Sequence, residues 1–182
     1  MKRICKHLVV ALGLTAIGAM LTPSASQAQD VANGSATATV QAVLTVTATQ
    51  ALAFGNVFQG VTKAIANNNA SAGVFTITGQ ASSGVSIYMQ LPDYLATSTG
   101  DDRMVIAFSS TDASVDTTGN SDPTAFGSGW QNTNPHAFPS ATVVGAGGQT
   151  DIFLGGRVNP SVDQTAGAYT ADVILTVAYN GS

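Results

Sequence analysis

Residues 163–182 read DQTAGAYTADVILTVAYNGS. From Tyr169 onward the odd positions are Tyr169, Ala171, Val173, Leu175, Val177 and Tyr179, while the even ones include Thr170, Asp172, Thr176 and Asn180. An apolar period of two is the signature of a strand that buries one face and wets the other. Runs of the same kind recur at 36–48, 51–58, 73–79, 84–91, 103–109, 141–145 and 150–158. Turn-forming clusters such as Asn67-Asn68-Asn69, Ser82-Ser83-Gly84 and Ser98-Thr99-Gly100-Asp101 separate them. Beyond residue 28 no stretch repeats apolar residues at helical spacing over three turns. The pattern predicts an all-β chain, an antiparallel immunoglobulin-like β-sandwich of about seven or eight strands.

The first 28 residues have a different character. Lys2, Arg3 and Lys6 precede an apolar run from Leu8 to Leu21, and small residues at Ser26 and Ala28 follow it. This is the pattern of a secretory signal peptide. The run is shorter than the roughly 20 residues a spanning helix needs, so no stable membrane insertion is expected after cleavage. Cys5 precedes the run and cannot become a lipid-anchored N-terminus. The expected organisation is a signal peptide over 1–28, an N-terminal extension over 29–43 and a β-sandwich domain over 44–182. The expected location is the periplasm, the cell surface or the medium.

Beyond residue 28 there is no cysteine, so an exported domain would be held by packing and backbone ladders alone, or by a partner. Lys63, Arg103 and Arg157 face ten aspartates and no glutamate, a net charge of −7 for this part of the chain. Such a surface disfavours nucleic acid and anionic lipid. Aspartate without glutamate also agrees with turns rather than helices.

Catalytic signals are weak. His136 is the only histidine after residue 28, and no nucleophile elbow surrounds a serine; FGSGW at 126–130 lacks the required glycine spacing. The Gly155-Gly156 pair is not followed by a helix that could cradle a phosphate, and it reads instead as a bulge or a close backbone approach. Neither a cofactor nor catalytic residues are expected. Clustered His and Cys are missing, which leaves only oxygen ligands for a metal. Asp112, Asp116, Asp122 and the pair Asp101-Asp102 are the carboxylates a calcium ion could use, although none follows a D-x-D-x-D-G pattern.

Residues 109–141 are dominated by Ser, Thr, Asn, Asp, Gly and Pro and read as one long loop. It contains the only tryptophan, Trp130, with Phe126, His136 and Phe138. One reading makes these four a ligand-binding loop that stacks on a sugar ring; the other has the aromatic residues fold back to cap the core.

Several segments together resemble a known group of proteins: LAFG at 52–55, GVFTITG at 73–79, IFLGGRVNP at 152–160 and AGAYTADVILTVAY at 166–179. They are similar to an uncharacterised family of secreted bacterial domains related to spore coat protein U and to subunits of archaic chaperone-usher pili. The resemblance covers nearly all of the chain after residue 28. It implies that Leu52, Phe54, Gly55, Gly79, Gly155, Gly156, Gly167, Tyr169 and Tyr179 are framework positions with structural roles. Unlike the pilin relatives, this chain has no cysteine between Leu44 and Thr49.

The resemblance gives a meaning to the other clean alternation, ATATVQAVLTVTA at 36–48. Fully extended, it would reach about 44 Å, roughly twice an ordinary strand. Either the segment bends and serves both sheets, or its first half projects as an arm; the resemblance implies the arm, which adds to a neighbouring subunit by β-strand addition. Ala36, Ala38, Val40, Ala42 and Leu44 would be the donor side chains. Tyr169, Val173, Leu175, Val177 and Tyr179 on the last strand would line the acceptor. The expected function is therefore an exported pilin-like or coat-like subunit, not an enzyme, whose partner is another copy of itself or a periplasmic chaperone. The alternative is a monomeric adhesin module that binds carbohydrate or a surface through the 109–141 loop.

Overall fold

The computed structural model describes residues 30–125, 127–140 and 142–181. The expected signal peptide and Phe126 lie outside the described residues. The chain divides into two units, Met1–Thr39 and Val40–Ser182. Of the first, residues 30–39 are described; they are exposed and form neither helix nor strand.

The second unit is all-β. Its strands are β1 (Thr45–Gln50), β2 (Lys63–Ile65), β3 (Gly73–Thr78), β4 (Val85–Gln90), β5 (Tyr94–Ala96) and β6 (Arg103–Ala107), then β7 (Ala113–Asp116), β8 (Gln131–Thr133), β9 (Gln149–Leu154), β10 (Gly156–Asn159) and β11 (Ile174–Tyr179). They form a five-stranded sheet β1-β3-β9-β7-β8, a four-stranded sheet β2-β10-β6-β5 and a pair β11-β4. Every pairing is antiparallel.

Two apolar clusters join these sheets. Alternation along β3, β7 and β9 turns Phe75, Ile77, Ala113, Val115, Ile152 and Leu154 to one face. There they meet Met89 and Ile87 of β4 and the odd-numbered side chains Leu175 and Val177 of β11. A second cluster gathers Met104 and Ile106 of β6 and Val158 of β10, with Phe54, Val57, Leu95 and Tyr169 packed against it. Phe108 touches both. The arrangement is sandwich-like.

Eleven strands replace the expected seven or eight, and the differences have local causes. The run 150–158 is two strands, because the chain passes at Gly155 from the five-stranded to the four-stranded sheet. A Cβ at Gly155 would lie 2.5 Å from the Ile65 carbonyl oxygen and 2.7 Å from the Asn67 nitrogen, so only glycine permits this approach. The run 51–58 forms no ladder and bends after Gly55, whose φ is +60°. The run 141–145 contributes only an isolated bridge between Val143 and Gly84.

The largest correction concerns residues 109–141, which are not one structureless loop. They contain β7, a central strand of the five-stranded sheet, and its neighbour β8. β7 escapes a period-two reading because its four residues, Ala113 to Asp116, are too short an alternation to stand out within a stretch rich in Ser, Thr, Asp and Gly, yet all four are buried. The loop after β7 covers that second face, with Trp130 stacked on Phe153 at 4.7 Å between ring centroids and 18° between planes.

Candidate assembly groove

Among the described residues β1 pairs only with β3, and β11 only with β4. Both therefore present a free edge, although their apolar faces serve the same cluster: Leu44, just ahead of β1, and Val173, Leu175 and Val177 pack against it and remain only half-buried. Where the two segments diverge, a groove of about 660 Å³ opens between residues 48–57 on one side and 167–173 on the other. Its floor is apolar: Phe75 and Leu154 from the first cluster, Met104, Ile106 and Val158 from the second. A free strand edge over an apolar trough offers backbone partners and side-chain pockets to an added strand.

Tyr179 stands at the far end of β11, away from this groove. Its hydroxyl accepts a hydrogen bond from the Gln80 nitrogen at 2.6 Å and donates to the Ala42 carbonyl oxygen at 2.9 Å. Gly79 makes room for it, since a Cβ there would sit 2.5 Å from the hydroxyl oxygen. Ala42 also donates its N–H to Gln80 Oε1 at 3.4 Å.

Tyr169 builds the opposite wall. Its hydroxyl lies 2.6 Å from Asp102 Oδ2 and 2.7 Å from the Thr165 carbonyl oxygen, and it accepts from Gln164 Nε2 at 2.9 Å. The Thr165 N–H donates to the same Asp102 oxygen at 2.9 Å. The Tyr169 hydroxyl, and then Thr165, hold the Asp102 carboxyl well below the ordinary carboxylate range. Burial raises the Tyr169 hydroxyl above its ordinary value, and the Asp102 carboxylate adds to the rise. The network ties residues 164–169 to the start of β6, and a backbone bridge between Thr170 and Ala96 continues the attachment. The groove wall is thereby held away from β1.

The proposed donor residues lie ahead of this groove in sequence. Ala36 and Ala38 are exposed and outside any strand, as are Val40 and Ala42. Val40 is 94% exposed, so its apolar side chain has almost no cover from its own chain. The backbone at Ala42, by contrast, is tied to Gln80 and Tyr179.

The four residues of the supposed ligand loop do not form one aromatic site among the described residues. Trp130 packs on the outer face of the five-stranded sheet, whereas Phe138 packs against the inner cluster. His136 is exposed, with Nε2 at 3.2 Å from the Phe108 carbonyl oxygen. The candidate calcium ligands also separate: Asp112 caps the Ser109 nitrogen at 2.7 Å, Asp122 caps Thr124, and Asp102 belongs to the Tyr169 network. Among the described residues no group of three or more His, Cys, Asp or Glu side chains could hold a metal together. Asp151, which sequence reasoning passed over, is fully buried beside Asp116. The only signal for it was an acidic residue inside a strand run.

Compared with models of known families and with curated proteins, the chain matches none.

Proposed function

We propose that this protein is an exported, non-enzymatic structural subunit of a pilin-like or coat-like assembly, and that copies join head to tail by β-strand addition. Residues 30–41 of one copy enter the groove between residues 48–57 and 167–173 of the next. The observation that carries this reading is the pairing of an apolar trough, which opens past the end of β1 and ahead of β11, with an alternating apolar segment that forms no strand in its own chain. Each supplies what the other lacks. A contact between two different surfaces of identical subunits does not close on itself, so it propagates as a filament.

Two further features support an immunoglobulin-like description of the subunit. Apolar residues from facing sheets interleave in the first cluster, and Tyr169 hydrogen-bonds a backbone carbonyl four residues upstream just before the last strand, in the manner of a tyrosine corner. The sequence resemblance to coat and archaic pilin domains points the same way. The adhesin alternative has less support, because Trp130 already stacks on Phe153 and the loop's described aromatic residues diverge.

The test compares the chain from Gln29 with one beginning at Gln41, which keeps the Ala42 hydrogen bonds. Size-exclusion chromatography should show oligomers of the longer chain and a monomer of the shorter. A synthetic peptide of residues 30–41 should raise the melting temperature of the shorter chain. A shorter chain as stable as the longer one, and indifferent to the peptide, would overturn the proposal.

A further inference from the structure

Asp116 and Asp151 are register partners on β7 and β9, so their side chains leave the same face of the five-stranded sheet side by side. Both residues are fully buried. Two carboxylates so placed repel each other, and desolvation makes the repulsion costly. Protein cations do not offset it: Lys63, Arg103 and Arg157 all lie on the other, four-stranded sheet.

Hydrogen bonds answer three of the four carboxylate oxygens. Thr76 Oγ1 donates to Asp151 Oδ1 at 2.6 Å and Gln149 Nε2 to Asp151 Oδ2 at 2.8 Å. Asp116 Oδ1 accepts both the N–H and the hydroxyl of Thr118, at 2.6 and 2.5 Å. Asp116 Oδ2 is buried and has no hydrogen-bond partner. Beside it is room that a side chain would take: a Cβ built on Gly127 would sit 3.2 Å from Asp116 Oδ2 and 3.2 Å from Thr118 Oγ1. Thr118 is exposed, which gives the cradle a path to solvent.

We propose that this cradle is a site for one hard divalent cation of the calcium type, held by Asp116 Oδ2 and Thr118 Oγ1 with Asp151 as the second negative charge. Thr118 Oγ1 donates its proton to Asp116 Oδ1 and keeps lone pairs for a metal. The donors are carboxylate and hydroxyl oxygens, which suit calcium rather than a transition metal. The ion would fasten the loop after β7 to the sheet beneath it, independently of how copies assemble.

The test is thermal unfolding of the chain from Gln29 in EDTA and in calcium. With two carboxylates the affinity should match that of weak extracellular sites, so about 10 mM calcium should saturate it. The melting temperature should then rise by roughly 3–10 °C over the value in EDTA. Asp116→Asn should abolish the rise. Gly127→Ala keeps both carboxylates and fills the cradle, and it should abolish the rise as well. Equal melting temperatures with and without calcium would overturn the proposal, as would a rise that persists in either variant. Stabilisation by acidification alone, with no response to calcium, would show a shared proton in the ion's place and would also overturn it.

Discussion

Val40→Asp separates the stability of the subunit from the stability of the assembly. Val40 is 94% exposed in its own chain, so the substitution should change the isolated subunit by no more than about 0.5 kcal/mol. In the groove of a neighbour the same side chain would be buried. Losing that burial costs roughly 1.5–3 kcal/mol. Placing an unpaired carboxylate over the apolar floor of Phe75, Leu154, Met104, Ile106 and Val158 adds at least a comparable amount. A total of about 3 kcal/mol or more weakens association by at least about 100-fold. Val40→Ala loses only part of the burial and should weaken it roughly tenfold. Sedimentation velocity over a range of concentrations reads the association, and circular dichroism melts read the subunit. Val40→Asp chains that associate as the wild type does would refute the reasoning. A large drop in the melting temperature of the monomer would refute it differently, by showing that Val40 is held within its own chain.

Trp130→Ala should destabilise the subunit by about 2–3 kcal/mol, somewhat less than a fully buried tryptophan, because one ring face rests on Phe153 while the residue remains partly exposed. Chemical denaturation measures this, and emission that shifts on adding oligosaccharide would instead return the loop to a binding role. The Asp102 carboxyl is depressed in the folded state, so its contribution to stability is present above its ordinary value of 3.8 and is lost as pH falls toward the folded value. Tyr169→Phe removes the largest cause of that depression, so melting temperature should fall less steeply on acidification below about pH 4 than in the wild type. An unchanged acid limb would show that the Tyr169 hydroxyl does not hold Asp102.

Strand alternation was readable wherever one face of a strand is buried and the other wet. β11 shows it plainly, with Leu175, Val177 and Tyr179 facing in and Thr176 and Ala178 facing out. β4 and β6 fall within predicted runs for the same reason, and β3 within a run buried over most of its length. β7 was not readable, because Ser114 and Asp116 look like loop residues until the loop carrying Trp130 buries them. Residues 36–43 fail in the opposite direction: they alternate as a strand should, but no ladder forms, because alternation supplies a face and not a partner.

Local sequence determined the longer strands whose two faces differ, many of the turns, and that Gly155-Gly156 marks a bulge or a close approach, because these depend on dihedral preference and side-chain period over a few residues. The tertiary structure decided that the halves of the 150–158 run belong to different sheets. It also decided that residues 48–57 and 167–173 part around one groove, and that Asp116 faces Asp151. Each of these joins residues far apart in the chain, and such pairings are set by packing whole sheets against each other rather than by the residues on either side of any one position.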